Sequence, residues 1–172
     1  MNRVMVVGAP GSGKSTLAVT LGQMTGLPVF HMDHIHWLSG WVEREKADKI
    51  EMAREIEARD AWIFEGGLAS TYDSRAARSD LIVWLDLPLG LRLWRVVWRI
   101  VRTYGTQRND LPEGCPEQVS PEFFRYILSS SRRTQARLAR LVAEAGKPVR
   151  HLTSPRAVRR WVASVRQSGL PG

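Results

Sequence analysis

Residues 8 to 15 read Gly8-Ala9-Pro10-Gly11-Ser12-Gly13-Lys14-Ser15 and follow directly on the apolar run Val4-Met5-Val6-Val7. A G-x-x-x-x-G-K-[ST] string opening off a buried strand is the pattern of a phosphate-binding loop, and it requires a strand before it and a helix after it. Each residue type has a physical task. Glycines let the backbone turn back and approach a phosphate closely. The loop N–H groups form a concave nest for anionic oxygens. The following helix adds about half a positive charge at its N-terminus. In such a loop Lys14 bridges the β- and γ-phosphates and the Ser15 hydroxyl ligates Mg²⁺. The expected nucleotide site is Gly8, Ala9, Pro10, Gly11, Ser12, Gly13, Lys14, Ser15 and Thr16, with ATP and Mg²⁺ as its ligands. A glycine-rich turn beside a stray lysine is the bland alternative. The apolar residues on both sides of the loop weigh against it.

Size and composition narrow the rest. The 172 residues suit one domain, long enough to bury roughly 70% of its unfolded surface. The single Cys115 forms no internal disulfide and fits a reducing compartment. The N-terminal apolar run ends in the glycine loop, unlike a signal peptide, and no stretch approaches the ~20 apolar residues of a membrane span. A cytoplasmic protein with no membrane partner is expected. The formal charge is +8, and arginine far outnumbers lysine. Arginine suits bidentate phosphate contacts. Its excess fits a nucleotide and its substrate, a nucleic-acid footprint, or solvated helix faces.

Short apolar β-type runs alternate with helical stretches, which predicts a parallel α/β sheet with helices on both faces. There are no repeats and no low-complexity segment. The spacing predicts strands over Arg3 to Val7, Val29 to Met32, Ala61 to Phe64, Asp80 to Leu85 and Val149 to Leu152. Helices are predicted from Lys14 to the Gly26-Leu27-Pro28 stop, about Val42 to Arg59, Ser70 to Arg78, and Pro88 to about Tyr104. Another runs from the Ser120-Pro121 start to about Ala145, with a break expected at Ser129-Ser130-Ser131. The last starts at Ser154-Pro155. The segment Gly105 to Ser120, with Arg108, Asn109-Asp110, Pro112, Gly114 and Pro116, is too long for an ordinary connector and reads as a lid.

Ligands of such sheets bind beyond the carboxyl ends of the strands. Four features fall there: the loop at Gly8, Asp33, Glu65-Gly66-Gly67, and Asp86. Asp33 lies in His31-Met32-Asp33-His34-Ile35-His36. It reads as a carboxylate near the transferred phosphoryl group, as a turn or helix cap, or as part of a metal cluster for which no distant ligands complete a set. Glu65 reads as a strand-end acid that holds Mg²⁺ through water, or as a strand-ending turn. Asp86 has the same position on strand four, and a helix-capping role is preferred. Arg92, Arg95, Arg99 and Arg102 share one face of the Pro88 helix and are expected to face an anion or solvent. Leu91, Trp94, Val97, Trp98 and Val101 are expected to cover the other side as core. Arg132, Arg133, Arg137 and Arg140 repeat the theme on the next helix. Most tryptophans read as core, with Trp37 and Trp41 as acceptor-pocket candidates. No guanine-reading Asn-Lys-x-Asp is present, since Glu45-Lys46-Ala47-Asp48 lacks the Asn. ATP is therefore the default nucleotide.

Several strings carry a family resemblance. They are Gly8 to Ser15, Gly26-Leu27-Pro28-Val29 with His31-Met32-Asp33, Trp37 through Gly40-Trp41-Val42-Glu43, and Trp62-Ile63. To these add Leu85-Asp86 with Leu93-Trp94-Arg95-Val96, and the distinctive Glu113-Gly114-Cys115-Pro116-Glu117. Over nearly its whole length the chain resembles the adenylate-kinase-like P-loop proteins of the topology modulation protein family. The resemblance implies a single P-loop kinase-like domain over residues 1–172. It implies strand order 2-3-1-4-5 and a mobile lid across about residues 92–137. It also places Arg95 and Arg99 near the phosphates, nine residues after the strand-four acid and four beyond. The downstream match is Arg132, Arg133 or Arg137, with Arg133 taken as the cofactor contact. The chain departs from the family where Glu65-Gly66-Gly67-Leu68 replaces the usual Asp-Gly-Asn-Tyr, losing an amide and a phenol. It departs again where Pro88-Leu89 stands in place of Pro-Arg.

The expected activity is phosphoryl transfer from ATP to a nucleotide or small hydroxyl or phosphate acceptor. Lys14, Asp33, Glu65, Arg95 and Arg99 are the expected catalytic residues, and Ser15 and Glu65 the metal ligands. Alternatives are an ATP-binding regulator associated with nucleic acid, for which no DNA-reading motif is present, and an ATPase module driving a partner. A monomer or homodimer is expected.

Overall fold

A computed structural model describes residues 1–106, 110–116 and 119–170. Arg108 and Asn109 of the lid segment, and Glu117 of its distinctive string, lie outside the described residues.

The centre of the fold is β1 (Arg3–Gly8), whose side chains are buried from Val4 onward. Burial on both faces makes it a continuous apolar run, as parallel sheets require. It pairs in parallel with β5 (Trp62–Glu65) and with β6 (Leu81–Leu85). The edges are β2 (Val29–His31) and β7 (Val149–Leu152). The sheet order β2-β5-β1-β6-β7 is the expected 2-3-1-4-5 arrangement once a small hairpin is set apart. Alternation along β1 builds the two layers: Met5 and Val7 join Trp62, Phe64, Ile82 and Leu138 on one face, and Val4 and Val6 join Leu17, Leu21, Val83 and Trp161 on the other.

The helices are α1 (Lys14–Thr25), α2 (Met32–His36), α3 (Lys46–Glu57), α4 (Tyr72–Arg78), α5 (Leu89–Thr103), α6 (Pro121–Glu144) and α7 (Pro155–Ser168). Their ends follow local chemistry. Ser120 and Ser154 accept hydrogen bonds from the N–H groups of Phe123 and Ala157, each with proline at the first helical position. Gly26 ends α1 in the left-handed region at φ 74°.

Four local expectations are corrected. Strand two stops at His31, and Asp33 sits in the first turn of α2 rather than at a strand end. The helix expected from Val42 begins only at Lys46. The residues before it form a hairpin of β3 (Trp37–Leu38) and β4 (Val42–Glu43), which turns through Gly40 at φ 77° and Trp41 at φ 62°. The hairpin is tied to α3 by a Lys49–Glu43 ion pair. The break at Ser129-Ser130-Ser131 does not occur. Ser129 and Ser130 donate back to the Tyr126 carbonyl, so these hydroxyls are satisfied without opening the helix.

The fourth correction concerns α5. Trp94, Val97, Trp98 and Val101, expected as core, are exposed, while Arg92, Val96 and Ile100 are buried. The inner face of α5 meets the outer carbonyls of the phosphate loop, which need donors. An arginine answers that need and an indole or isopropyl group does not. Trp62, Trp84 and Trp161 do lie in the core.

Candidate active site

Gly8 closes β1, and the loop beyond it brings the chain to α1. Gly11 has φ 77°, and a Cβ there would lie 2.6 Å from the Arg92 carbonyl oxygen. Gly13 has φ 93° and forms the N-cap of α1 with no side-chain capping bond. The N–H groups of the first helical turn are therefore left for a ligand. The Ser12 hydroxyl is buried without a partner. Lys14 folds back over the loop, with Nζ donating to the Ala9 carbonyl at 3.4 Å. Uncommitted donors, a helix N-terminus and a tethered ammonium fit the phosphate chain of a nucleotide.

Glu65 ends β5 next to β1 and is almost fully buried. Its Oε1 accepts from the Ser15 hydroxyl at 3.0 Å and meets His31 Nδ1 at 2.8 Å. Hydroxyl and carboxylate are hard oxygen donors, as Mg²⁺ requires, so Ser15 and Glu65 fit that ion. Burial works to lower the His31 pKa. The hydrogen bond and charge of Glu65, with Asp110 and Asp33 adding theirs, outweigh it and hold the imidazole above its ordinary value. Asp33 thus stands in the electrostatic neighbourhood of the Glu65–His31 pair. Among the described residues no group of three or more His, Cys, Asp or Glu is arranged to hold a metal ion.

The turn after Glu65 is fitted closely. Gly66 has φ 109°, and a Cβ there would meet Met32 Cβ at 2.5 Å. A Cβ on Gly67 would lie 2.9 Å from the Tyr72 hydroxyl. A phenol therefore does stand at this turn, brought by α4 rather than by position 68. Beneath it lies Arg75, fully buried, donating through Nη1 to the Gly66 carbonyl at 3.1 Å. Its guanidinium is 4.8 Å from the Phe64 ring centroid and 5.4 Å from that of Tyr72. Burial lowers its pKa to about 10, and it remains charged at neutral pH. Sequence reasoning passed over Arg75. The signal was there, because residues three apart on one helix share a face and Tyr72 is apolar enough to point inward.

The arginines of α5 divide. Arg95 donates through Nη1 to the Ser12 carbonyl at 3.1 Å, which sets it on the phosphate loop. Arg99, one turn on, is partly buried on the same inner side. Arg92 ties three segments together, donating to the carbonyls of Leu87 (3.1 Å) and Pro10 (3.2 Å) and to the Ser131 hydroxyl (2.6 Å). Arg102 faces outward over the Trp98 ring at 4.7 Å. On α6, Arg133 and Arg137 are both exposed. Asp86 does not cap α5, whose N-cap is Pro88 without a side-chain bond. It instead binds His151 Nε2 at 3.0 Å and Gln135 Nε2 at 3.1 Å, joining β6, β7 and α6.

The hairpin and the lid segment clasp each other. Gly40 N–H donates to the Gly114 carbonyl at 3.0 Å, the Trp41 indole to the Pro116 carbonyl at 3.2 Å, and the Cys115 thiol to the Leu38 carbonyl at 3.2 Å. Cys115 and Leu111 are buried. The two unusual strings around Trp41 and Cys115 are halves of one contact. Trp37 packs edge-on against Trp41, with ring centroids 5.5 Å apart.

No family model matches the chain. Among curated proteins it is 27% identical over 108 residues to the uncharacterized protein YqaC of Bacillus subtilis (strain 168), covering 60% of each. The match thus spans about three fifths of that relative's length. Among solved structures, shikimate kinase from Acinetobacter baumannii in complex with shikimate superposes with TM-score 0.61 and 18% identity, over 97% of this chain and 92% of that one. Shikimate kinase from Bacteroides thetaiotaomicron gives TM-score 0.59 and 17% identity, over 96% of both chains. A sugar kinase from Janibacter sp. HTCC2649 gives 0.52 and 18%, over 98% and 96%. Together with the sheet order and the loop, these likenesses establish the fold as that of the P-loop kinases, with the phosphate loop at the carboxyl edge of the central strand.

Proposed function

We propose that the chain is an ATP-dependent phosphotransferase acting on a small-molecule acceptor. The observation that carries this reading is the convergence of Lys14, Arg95 and the Ser15–Glu65 pair on one uncapped loop, with Asp33 beside them. The loop N–H groups and Lys14 bind the β- and γ-phosphates, and Arg95 and Arg99 approach from α5. Ser15, and Glu65 through water, would hold Mg²⁺, which would supply neutralisation of the phosphate charge when bound. The acceptor binds beside the turn Glu65-Gly66-Gly67, which Met32 and Tyr72 pack against, with the Tyr72 hydroxyl at its edge. Its hydroxyl oxygen forms the new bond to the γ-phosphorus as the bond to the β–γ bridging oxygen breaks. Asp33 takes the hydroxyl proton and ADP leaves. The lid, across about residues 92–137, closes through the clasp with the hairpin and excludes water, which would otherwise compete as acceptor. The family resemblance in the Trp41 and Cys115 strings supports assignment to the topology modulation proteins.

The test is calorimetry with ATP and Mg²⁺, followed by a transfer screen with labelled ATP over nucleoside monophosphates, nucleosides and small hydroxyl metabolites. Lys14→Ala is expected to weaken ATP binding and to lower turnover by 10²-fold or more. Unchanged affinity together with unchanged turnover in that variant refutes the reading.

A second reading, an ATP-binding regulator that touches nucleic acid, is favoured by one observation. Arg156, Arg159 and Arg160 line an open depression of about 400 Å³ on α7. It predicts DNA retention that falls steeply with salt.

A further inference from the structure

The outer face of α5 carries Trp94, Val97, Trp98 and Val101, spaced as a single stripe and continued by Tyr104 just past the helix end, and each is between 45% and 68% exposed. The Trp94 and Trp98 rings lie nearly parallel, with centroids 6.0 Å apart, and the Arg102 guanidinium covers the Trp98 face. No acidic residue occurs anywhere in Leu89–Thr103. A stripe of this kind ranks with the largest apolar patch of a typical monomer, and such patches often have a function.

We propose that this stripe docks on an anionic lipid surface, lying in the interface rather than crossing it. Three observations select that occupant. First, the stripe mixes tryptophan, tyrosine and valine with a flanking arginine. Indole and phenol rings favour the headgroup region, aliphatic side chains the acyl boundary just below, and arginine the lipid phosphates. Second, the chain carries a formal charge of +8, so an anionic bilayer attracts it before contact. Third, the other occupants fit less well. The exposed area is on the order of 500 Å² from the typical size of these side chains, short of the ~800 Å² per partner of a stable dimer. A second copy would also bring two acid-free, arginine-bearing helices together. A single-stranded nucleic acid would stack on the rings but offer nothing to Val97 and Val101. α5 has 15 residues, and no helix among the described residues is long and apolar enough to cross a membrane. Surface attachment is the mode that remains.

The experiment is co-sedimentation of the full chain with vesicles of phosphatidylcholine alone, or of equal parts phosphatidylcholine and phosphatidylglycerol. The chain is expected to pellet with the mixed vesicles, weakly with the neutral ones, and less as salt rises. The double substitution Trp94→Ser with Val101→Ser, at two exposed positions outside the nucleotide site, is expected to lower the vesicle partition coefficient at least about tenfold. The conservative pair Trp94→Phe with Val101→Ile retains binding, which separates a lost surface from a lost fold. No pelleting with anionic vesicles, equal pelleting with both compositions, or equal pelleting of wild type and the serine variant overturns the proposal. So does a dimer in light scattering that the serine variant dissolves, which assigns the stripe to a second copy. Retention of a single-stranded oligonucleotide lost in that variant likewise assigns it to nucleic acid.

Discussion

Arg92 offers a measurable link between the stability of this fold and its proposed nucleotide site. Its side chain is 4% exposed, and its guanidinium serves the carbonyls of Pro10 and Leu87 and the Ser131 hydroxyl. Arg92→Met keeps the aliphatic stem and removes every donor. The Pro10 and Leu87 carbonyls lose their bonds to the guanidinium, at about 1–3 kcal/mol each, and the tie to α6 is lost. Against this, the folded state no longer desolvates a guanidinium, which returns part of the loss. The net expectation is destabilisation by about 2–4 kcal/mol, or a fall in Tm of roughly 5–15 °C for a chain of this length. Pro10 lies on the phosphate loop, so the same change loosens the loop, and ATP affinity is expected to fall about tenfold. Arg92→Lys should behave almost as badly, because one ammonium cannot span three acceptors on three segments. Urea unfolding and ATP calorimetry on the same preparations read both effects. Stability within about 0.5 kcal/mol of wild type, together with unchanged ATP affinity, refutes the argument that Arg92 braces the loop. A variant more stable than wild type shows instead that the buried charge is a net burden.

Other expectations follow from single contacts. Gly114 has φ 80°, and a side chain there would meet Ser39, so Gly114→Ala should open the clasp between hairpin and lid. Cys115, now buried against Leu38, should then react with a thiol reagent about tenfold faster or more, with the fold intact by circular dichroism. Asp80 accepts from the N–H groups of Asn2 and Arg3 and from the Arg3 guanidinium. Burial works to raise its pKa, but these donors outweigh it and leave the carboxyl below its ordinary value. The stability it adds is therefore complete above the ordinary carboxylate range and is lost as pH falls through the lowered value. Asp80→Asn should cost about 1–2 kcal/mol at neutral pH, and the gap from wild type should shrink in acid, as thermal melts across the acid range will show.

What could be read in the chain, and what could not, divides along a physical line. The central strands were legible because burial on both faces leaves an uninterrupted apolar run, as in Val4 to Val7 and Leu81 to Leu85. The loop was legible because its geometry admits few residue types at Gly11 and Gly13. The Pro121 and Pro155 helix starts were legible because a serine cap acts within three residues. Arg75 with Gly66 and Lys49 with Glu43 aside, the contacts that were missed join segments far apart in the chain, where no local spacing carries a signal. His31 meets Glu65 across 34 positions, Arg92 meets Pro10 across 82, and Trp41 meets Pro116 across 75. The inverted burial of α5 follows from the same cause. Periodicity separates two faces of a helix but does not say which one meets a neighbour, and the usual assumption sends the apolar face inward. Here that face meets the Pro10 and Ser12 carbonyls of a polar loop as well as Ile127, Phe123 and Phe124 of α6. A helix packed against such a loop must bring donors, so Arg92 and Arg95 point in and the indoles of Trp94 and Trp98 are left outside. The exposed aromatic stripe and the arginine-braced loop are thus two consequences of packing one face of α5 against loop carbonyls and the apolar side of α6.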